Sequence, residues 1–262
     1  MLTDLTLNYD LVHMPFDFKV FSLDDSGCAM KIGTDGVLLG AWVALPTNGL
    51  VLDVGTGCGL ISLMVAQRAS GNLHIIGIDS DKYAIECARA NVAASCWPEF
   101  VSIIHSGFEN FVLPDLADLI VSNPPFYTTG MLSPNNARAT ARHCNGTLSP
   151  VTLISYAYKH LAPGGSLAMV TPAEIEQTIV FESTIQQMRI VRQCDVITVP
   201  DKKPRRILWQ MQRSCDSTAS LEHTTLTIRK QDGKFTEEYR NPHQRSISIF
   251  SPLFSENKYS KK

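Results

Sequence analysis

The sequence predicts an α/β fold: a doubly wound, mainly parallel sheet of seven strands, the last two forming a C-terminal antiparallel pair. Two observations carry this expectation. Short apolar runs of strand length alternate with segments of helical periodicity, and brief connections join them, as in successive βαβ units. Polar residues able to do chemistry also recur just past the ends of those runs, the edge at which such sheets bind ligands.

Residues 50–54 form an apolar run that stops at glycines, and residues 59–69 follow at once with helical spacing. Residues 74–78 make a second strand ending at Asp79, and Ser80 or Asp81 caps a helix carrying Ala84, Ile85, Ala88 and Val92. Residues 101–104 and 117–121 add two strands. Residues 153–161 read as a helix stopped by Pro163-Gly164-Gly165, then a strand over 166–170 and a helix over 173–188. Residues 191–199 and 206–212 are the antiparallel pair, joined by a basic, proline-containing turn. One domain is expected over 18–254, with a poorly ordered extension at 1–17 and a frayed polar tail at 255–262.

Composition sets the class. Hydrophobic residues make up 44% and charged residues 18%, ordinary for a soluble domain. No apolar run approaches the roughly 18 residues of a membrane span. The first 17 residues carry Asp4 and Asp10 and no Lys or Arg, unlike a secretory leader, so a cytoplasmic protein is expected. The seven cysteines (28, 58, 87, 96, 144, 194, 215) are odd in number and lack C-x-x-C spacing. That favours free thiols over disulfides and predicts no metal site. A net charge of −2 is no signature of a generic nucleic-acid binder. Local charge is different: residues 119–173 contain no acid but include Arg138, Arg142, His143, Lys159 and His160. Lys202-Lys203-Pro204-Arg205-Arg206 forms a second basic cluster.

Asp53-Val54-Gly55-Thr56-Gly57-Cys58-Gly59 leaves one strand and opens one helix. Glycines let such a turn bring backbone close to a ligand. The dinucleotide fingerprint G-x-G-x-x-G needs a small residue at position 60, where this chain has Leu60. An acid two residues ahead of Gly55 suits a cationic amine and would repel a pyrophosphate. S-adenosylmethionine has that amine and no phosphate. Asp79 lies about twenty residues beyond the loop, the distance at which an acid meets ribose hydroxyls. This order resembles class I methyltransferases. The resemblance implies that Asp53, Gly55 and Gly57 hold the methionine part of the cofactor and Asp79 the ribose. Many members place an acid or amide after the third strand for the adenine amine. Here that stretch reads His105-Ser106-Gly107, and Ser106 takes the role through its hydroxyl.

Asn123-Pro124-Pro125-Phe126-Tyr127 leaves the fourth strand at the same edge. Two prolines aim the Pro124 carbonyl rigidly. That carbonyl and the Asn123 side-chain oxygen can accept both hydrogens of a planar amine and favour its nucleophilic, pyramidal form. Phe126 offers a stacking face. The segment resembles the N-P-P-aromatic amino-methyltransferases, which modify adenine N6, cytosine N4, guanine N2 or glutamine amides. Upstream, residues 18–21 read as a strand, Gly33 as a turn, and the following apolar stretch as a helix capped by Thr34 or Asp35. The run K-x-G-T-D-G-x-L-L-G-A-W, Lys31 to Trp42, together with N-P-P-F resembles bacterial tRNA methyltransferases that make N6-methyladenine at position 37 of valine tRNA. The likeness spans most of the chain. It implies that Lys31, Thr34 and Asp35 close over the cofactor alongside Asn123. It also implies that Tyr127, Arg138, Arg142, Lys202, Lys203, Arg205 and Arg206 meet the RNA. Glutamine-amide and guanine-N2 transfer stay open at this point, because Phe126 stands where that family usually has Tyr.

Overall fold

A computed structural model describes residues 15–18, 20–28, 30–125 and 148–240 of the chain. A short antiparallel pair, β1 (Phe16–Asp17) and β2 (Ser22–Leu23), precedes helix α1 (Thr34–Trp42). Next come β3 (Gly49–Val54), α2 (Leu60–Arg68), β4 (Leu73–Asp79), α3 (Lys82–Ala93), β5 (Val101–His105) and β6 (Ala117–Ser122). The second half supplies α4 (Pro150–His160), β7 (Leu161–Pro172), α5 (Glu176–Ile185), β8 (Met188–Ile197), β9 (Arg206–Arg213), β10 (Glu222–Thr227) and α6 (Glu237–Arg240).

The main sheet has eight strands in the order β10-β8-β9-β7-β6-β3-β4-β5, and β9 alone runs antiparallel to the rest. The doubly wound, mainly parallel architecture and the β8–β9 pair are as the sequence predicts, but the strand count is one higher. The extra strand, β10, pairs in parallel with β8. It is polar, with Leu226 its one buried residue, so it carries no apolar run to signal a strand. A second difference lies around residues 18–21: the paired strands β1 and β2 flank them, so the chain turns between the two, and Phe18 N–H donates to the Phe21 carbonyl at 2.9 Å. The turn puts both rings on one side, stacked 4.6 Å apart. In a strand, residues three apart would face opposite ways.

Apolar residues lie on both faces of the sheet, as parallel sheets require. On one face Val51, Leu119, Val121 and Val170 pack with Leu38, Leu39, Leu63, Met64, Ile85 and Val92 from α1, α2 and α3. On the other, Leu52, Val54, Ile78 and Ile120 pack with Leu153, Ile154 and Ile179 from α4 and α5. Two devices anchor helices at the ligand edge. Asp81 caps α3 by accepting from Tyr83 N–H, and Ser149 with Thr152 forms a reciprocal capping box on α4. Arg68 closes the other end of α1, donating to the carbonyls of Gly40 at 2.6 Å and Val43 at 2.8 Å. Those are carbonyls that a helix C-terminus leaves without intrahelical donors. Among the described residues no helix is long and apolar enough to cross a membrane, and the described cysteines are free thiols.

Candidate active site

Strand order reverses between β3 and its two parallel neighbours, β4 and β6, and register does the rest. Asp53 pairs with Gly77 on one side and Val121 on the other, while Asp79 pairs with His105. Two residues beyond the Asp53 level, Gly55, Asp79 and Asn123 therefore lie side by side at the carboxyl edge. This is the switch point at which doubly wound sheets bind ligands. The glycine loop turns there with φ of 71° at Gly55, 56° at Gly57 and 86° at Gly59. These are left-handed angles that side chains other than glycine resist. A Cβ placed on Gly57 would meet nothing within 4 Å, so that stretch of bare backbone faces open space.

Asp53 is fully buried beneath the loop. Its Oδ2 accepts from the Thr56 hydroxyl at 2.7 Å, the Ser62 hydroxyl at 2.7 Å and Ser62 N–H at 3.0 Å. Its Oδ1 is buried without a hydrogen-bond partner among the described residues. Burial pushes the Asp53 carboxyl up to about 6, against the three donors that lower it. Asp79 accepts from Gly57 N–H at 3.0 Å through Oδ2 and from Asp81 N–H at 2.9 Å through Oδ1, which ties the second acid to the loop. Ser106 N–H donates to the Asp79 carbonyl, and the Ser106 hydroxyl turns onto the Gly107 carbonyl at 3.0 Å.

Asn123 follows β6, and its Oδ1 is also buried without a partner among the described residues. Pro124 beside it is buried. The start of α1 reaches this point: a Cβ on Gly36 would lie 3.8 Å from Asn123 Nδ2. Gly33 is the N-cap of α1 and no side chain caps it, in place of the expected Thr34 or Asp35. Thr34 is exposed, and Asp35 is instead spent on an ion pair with Arg206 Nε at 2.7 Å. That bond joins a residue expected at the cofactor to one expected at RNA. Lys31 donates to the carbonyls of Asp25 at 2.7 Å and Ser26 at 3.1 Å, holding the segment before α1. Lys202, Lys203 and Arg205 are exposed on the β8–β9 turn, at the same sheet edge. Phe126, Tyr127, Arg138 and Arg142 lie outside the described residues.

A cavity of about 180 Å³ opens beside the loop, lined by Gly55, Ile78, Asp79, Ser106, Phe108 and Glu109 among others. Sites for whole drug-sized ligands span about 300–1,000 Å³, so this one suits the nucleoside end of a larger molecule. A broader hollow over α5, lined by Glu176, Val180 and Phe181, is shallow, lies on one helix and brings no cluster of chemical groups together. Sequence reasoning passed over three contributors. Ser62 is a polar residue in the apolar first two turns of α2. Gly77 interrupts an apolar strand, the usual sign of close approach. A Cβ on Gly77 would stand 2.8 Å from Thr56 Oγ1 and 3.0 Å from Ser62 Oγ, so its absence leaves room for the Asp53 network. Glu109 is an acid in a turn, which carries no signal by itself.

The residues fit S-adenosylmethionine: an open glycine backbone, an acid at ribose distance, an apolar slot for a planar base, and a buried acceptor at the reacting end. The sheet is shared with solved methyltransferases. A predicted O-methyltransferase from Agrobacterium tumefaciens superposes with TM-score 0.57 at 16% identity, covering 78% of this chain and 92% of its own. The methyltransferase small domain family model matches residues 28–199. Fold and family define an S-adenosylmethionine-dependent methyltransferase of class I. The tRNA1(Val) (adenine(37)-N6)-methyltransferase of Aeromonas hydrophila is 38% identical over 91% of this chain and 96% of its own. The protein of that name from Porphyromonas gingivalis is 39% identical over 86% and 91%. At that identity and coverage, the chain belongs to the tRNA1(Val) (adenine(37)-N6)-methyltransferase family.

Two outcomes follow from the Asp53 network. Gly77→Ala should displace the Thr56 and Ser62 hydroxyls. It should lower the urea stability by about 1–3 kcal/mol and weaken S-adenosylhomocysteine binding in calorimetry; unchanged values in both would refute the close-approach role. The raised Asp53 carboxyl also sets a pH dependence. Between its ordinary value of 3.8 and about 6 the folded chain holds a proton that the unfolded chain has released. Stability from this group is therefore full below about pH 4 and lost as pH rises through 6. Measured against Asp53→Asn by urea titration, the wild type should lose ground between pH 4 and 7, by up to about 3 kcal/mol.

Proposed function

We propose that this chain transfers the methyl group of S-adenosylmethionine to N6 of adenine 37 in the anticodon loop of valine tRNA. The observation that carries the chemistry is Asn123 Oδ1, a buried acceptor at the switch point that no group among the described residues satisfies. Such an atom costs free energy unless a donor reaches it, and an exocyclic amine supplies one. The choice of tRNA adenine rests on relatives so named that match nearly the whole chain. Transfer to a glutamine amide or to guanine N2 has no counterpart in those names.

When bound, the cofactor carries its methyl on a sulfonium, an electrophile that is already activated. The protein has then to position the amine rather than deprotonate it beforehand, and the surplus proton leaves the methylated nitrogen for solvent. Asn123 Oδ1 and the Pro124 carbonyl accept the two amine hydrogens and turn the nitrogen lone pair toward the methyl. In ideal systems such orientation is worth about 7–11 kcal/mol. Phe126 supplies a stacking face, at about 1–3 kcal/mol per base. A base in an anticodon loop is already unpaired, so exposing it costs less than opening a duplex. Lys202, Lys203 and Arg205 contact phosphates, while Arg206 acts through its pair with Asp35.

Incubating protein, cofactor and unmodified tRNA, then analysing nucleosides by mass, should yield N6-methyladenine in valine tRNA. Its absence from every tRNA would end this reading. Asn123→Ala should slow the reaction on the order of a hundredfold while keeping or raising the urea midpoint, since it removes a buried acceptor that the fold leaves unmatched. Replacing Lys202, Lys203 and Arg205 with glutamine should weaken tRNA binding and flatten the salt dependence by about 0.7 in slope per lost phosphate contact. An unchanged slope would exclude this turn from the interface.

A further inference from the structure

The buried residues of α3 are Ala84, Ile85, Ala88, Asn91 and Val92, so Asn91, at 5% exposure, is the one polar member of its core-facing stripe. Its amide reaches two other segments. Nδ2 donates to the Cys58 carbonyl at 2.9 Å and to the Asp24 carbonyl at 2.8 Å, while Oδ1 accepts from Asp24 N–H at 2.9 Å. Cys87, one turn earlier, donates its thiol to the same Asp24 carbonyl at 2.7 Å. Cys58 lies between Gly57 and Gly59 in the glycine loop, and Gly59 N–H donates to the Thr56 carbonyl at 2.9 Å. The Cys58 carbonyl and the Gly59 N–H are the two ends of one planar peptide, so Asn91 and Thr56 fix its orientation between them. On the other side, Asp24 leads to Asp25, whose carboxylate accepts from Ile32 N–H at 2.8 Å just ahead of α1.

We propose that Asn91 is a positioning residue for the cofactor. It holds the Cys58 peptide so that the loop presents the bare backbone of Gly57, and it couples that loop to the segment ahead of α1, so that both respond to an occupied site. A helix that only packed would place an apolar residue here, as α3 does at Ala88 and Val92. A buried amide is stable where its bonds are made, and an apolar side chain would strand the Cys58 carbonyl without this donor. The inference rests on the cofactor assignment, not on which nucleic acid is methylated.

Calorimetry with S-adenosylhomocysteine, beside urea unfolding, tests it. Asn91→Ala should weaken binding by about tenfold, the worth of one hydrogen bond lost from a buried acceptor. Val92→Ala, which trims the core at the next position of the same helix, is the control: it should lower the urea midpoint and keep the affinity within about twofold. Asn91→Asp keeps an acceptor for Asp24 N–H and, once protonated, regains one donor. Its affinity relative to the wild type should therefore rise as pH falls from about 7.5 to about 5, a rise that Asn91→Ala should lack. In the wild type, S-adenosylhomocysteine should slow amide hydrogen exchange at residues 24–28 as well as at 55–59. If neither Asn91 variant folds, this exchange result decides. An Asn91→Ala protein that loses no more affinity than Val92→Ala, or protection confined to the loop, would overturn the proposal. A wild type that binds no S-adenosylhomocysteine would overturn it together with the cofactor. These effects without tRNA methylation would sink the tRNA reading and leave Asn91 in place.

Discussion

Three hydrogen bonds into one buried oxygen hold the centre of this molecule together. Asp53 Oδ2 takes both hydroxyls and one amide from Thr56 and Ser62, linking the end of β3, the glycine loop and the first turn of α2. Without such donors, a carboxylate at this depth would cost several kcal/mol. With them the loop is pinned in the left-handed turns that bare its backbone. Gly77 on the next strand completes the arrangement by leaving out a side chain. Asp53 Oδ2 is thus placed to shape the glycine loop from beneath, and Oδ1 is its atom without a partner among the described residues.

Topology turns that local knot into a site. Because β4 and β6 flank β3 on opposite sides, the loop after β3 sits at the switch point, and Asn123 arrives there from β6. Helix α1 comes from before the sheet and lies against the same point, with Gly36 close to Leu60 and within ordinary contact range of the Asn123 amide. The Asp35–Arg206 pair then fastens α1 to the start of β9. At 34% and 25% side-chain exposure the pair is only half-buried, and its worth lies more in geometry than in stability. It fastens the helix that lies against Asn123 to the strand that follows the basic turn.

The sequence by itself determined the periodic and punctuated features: the alternation of strands and helices, the glycine loop with its two acids, the Asn123-Pro124 corner, and the antiparallel β8–β9 pair. Each depends on neighbours within a few residues, so spacing alone reveals it. The eighth strand was not legible, because β10 is polar and owes its place to the β8 edge rather than to an apolar pattern of its own. Tertiary structure alone decided that Asp35 meets Arg206 across 171 positions, that Gly77 clears space for Ser62, and that the Asp53 carboxylate lies beneath the loop. Strand register, which sequence leaves unassigned, is the physical cause of the site itself: it sets Gly55, Asp79 and Asn123 at one level.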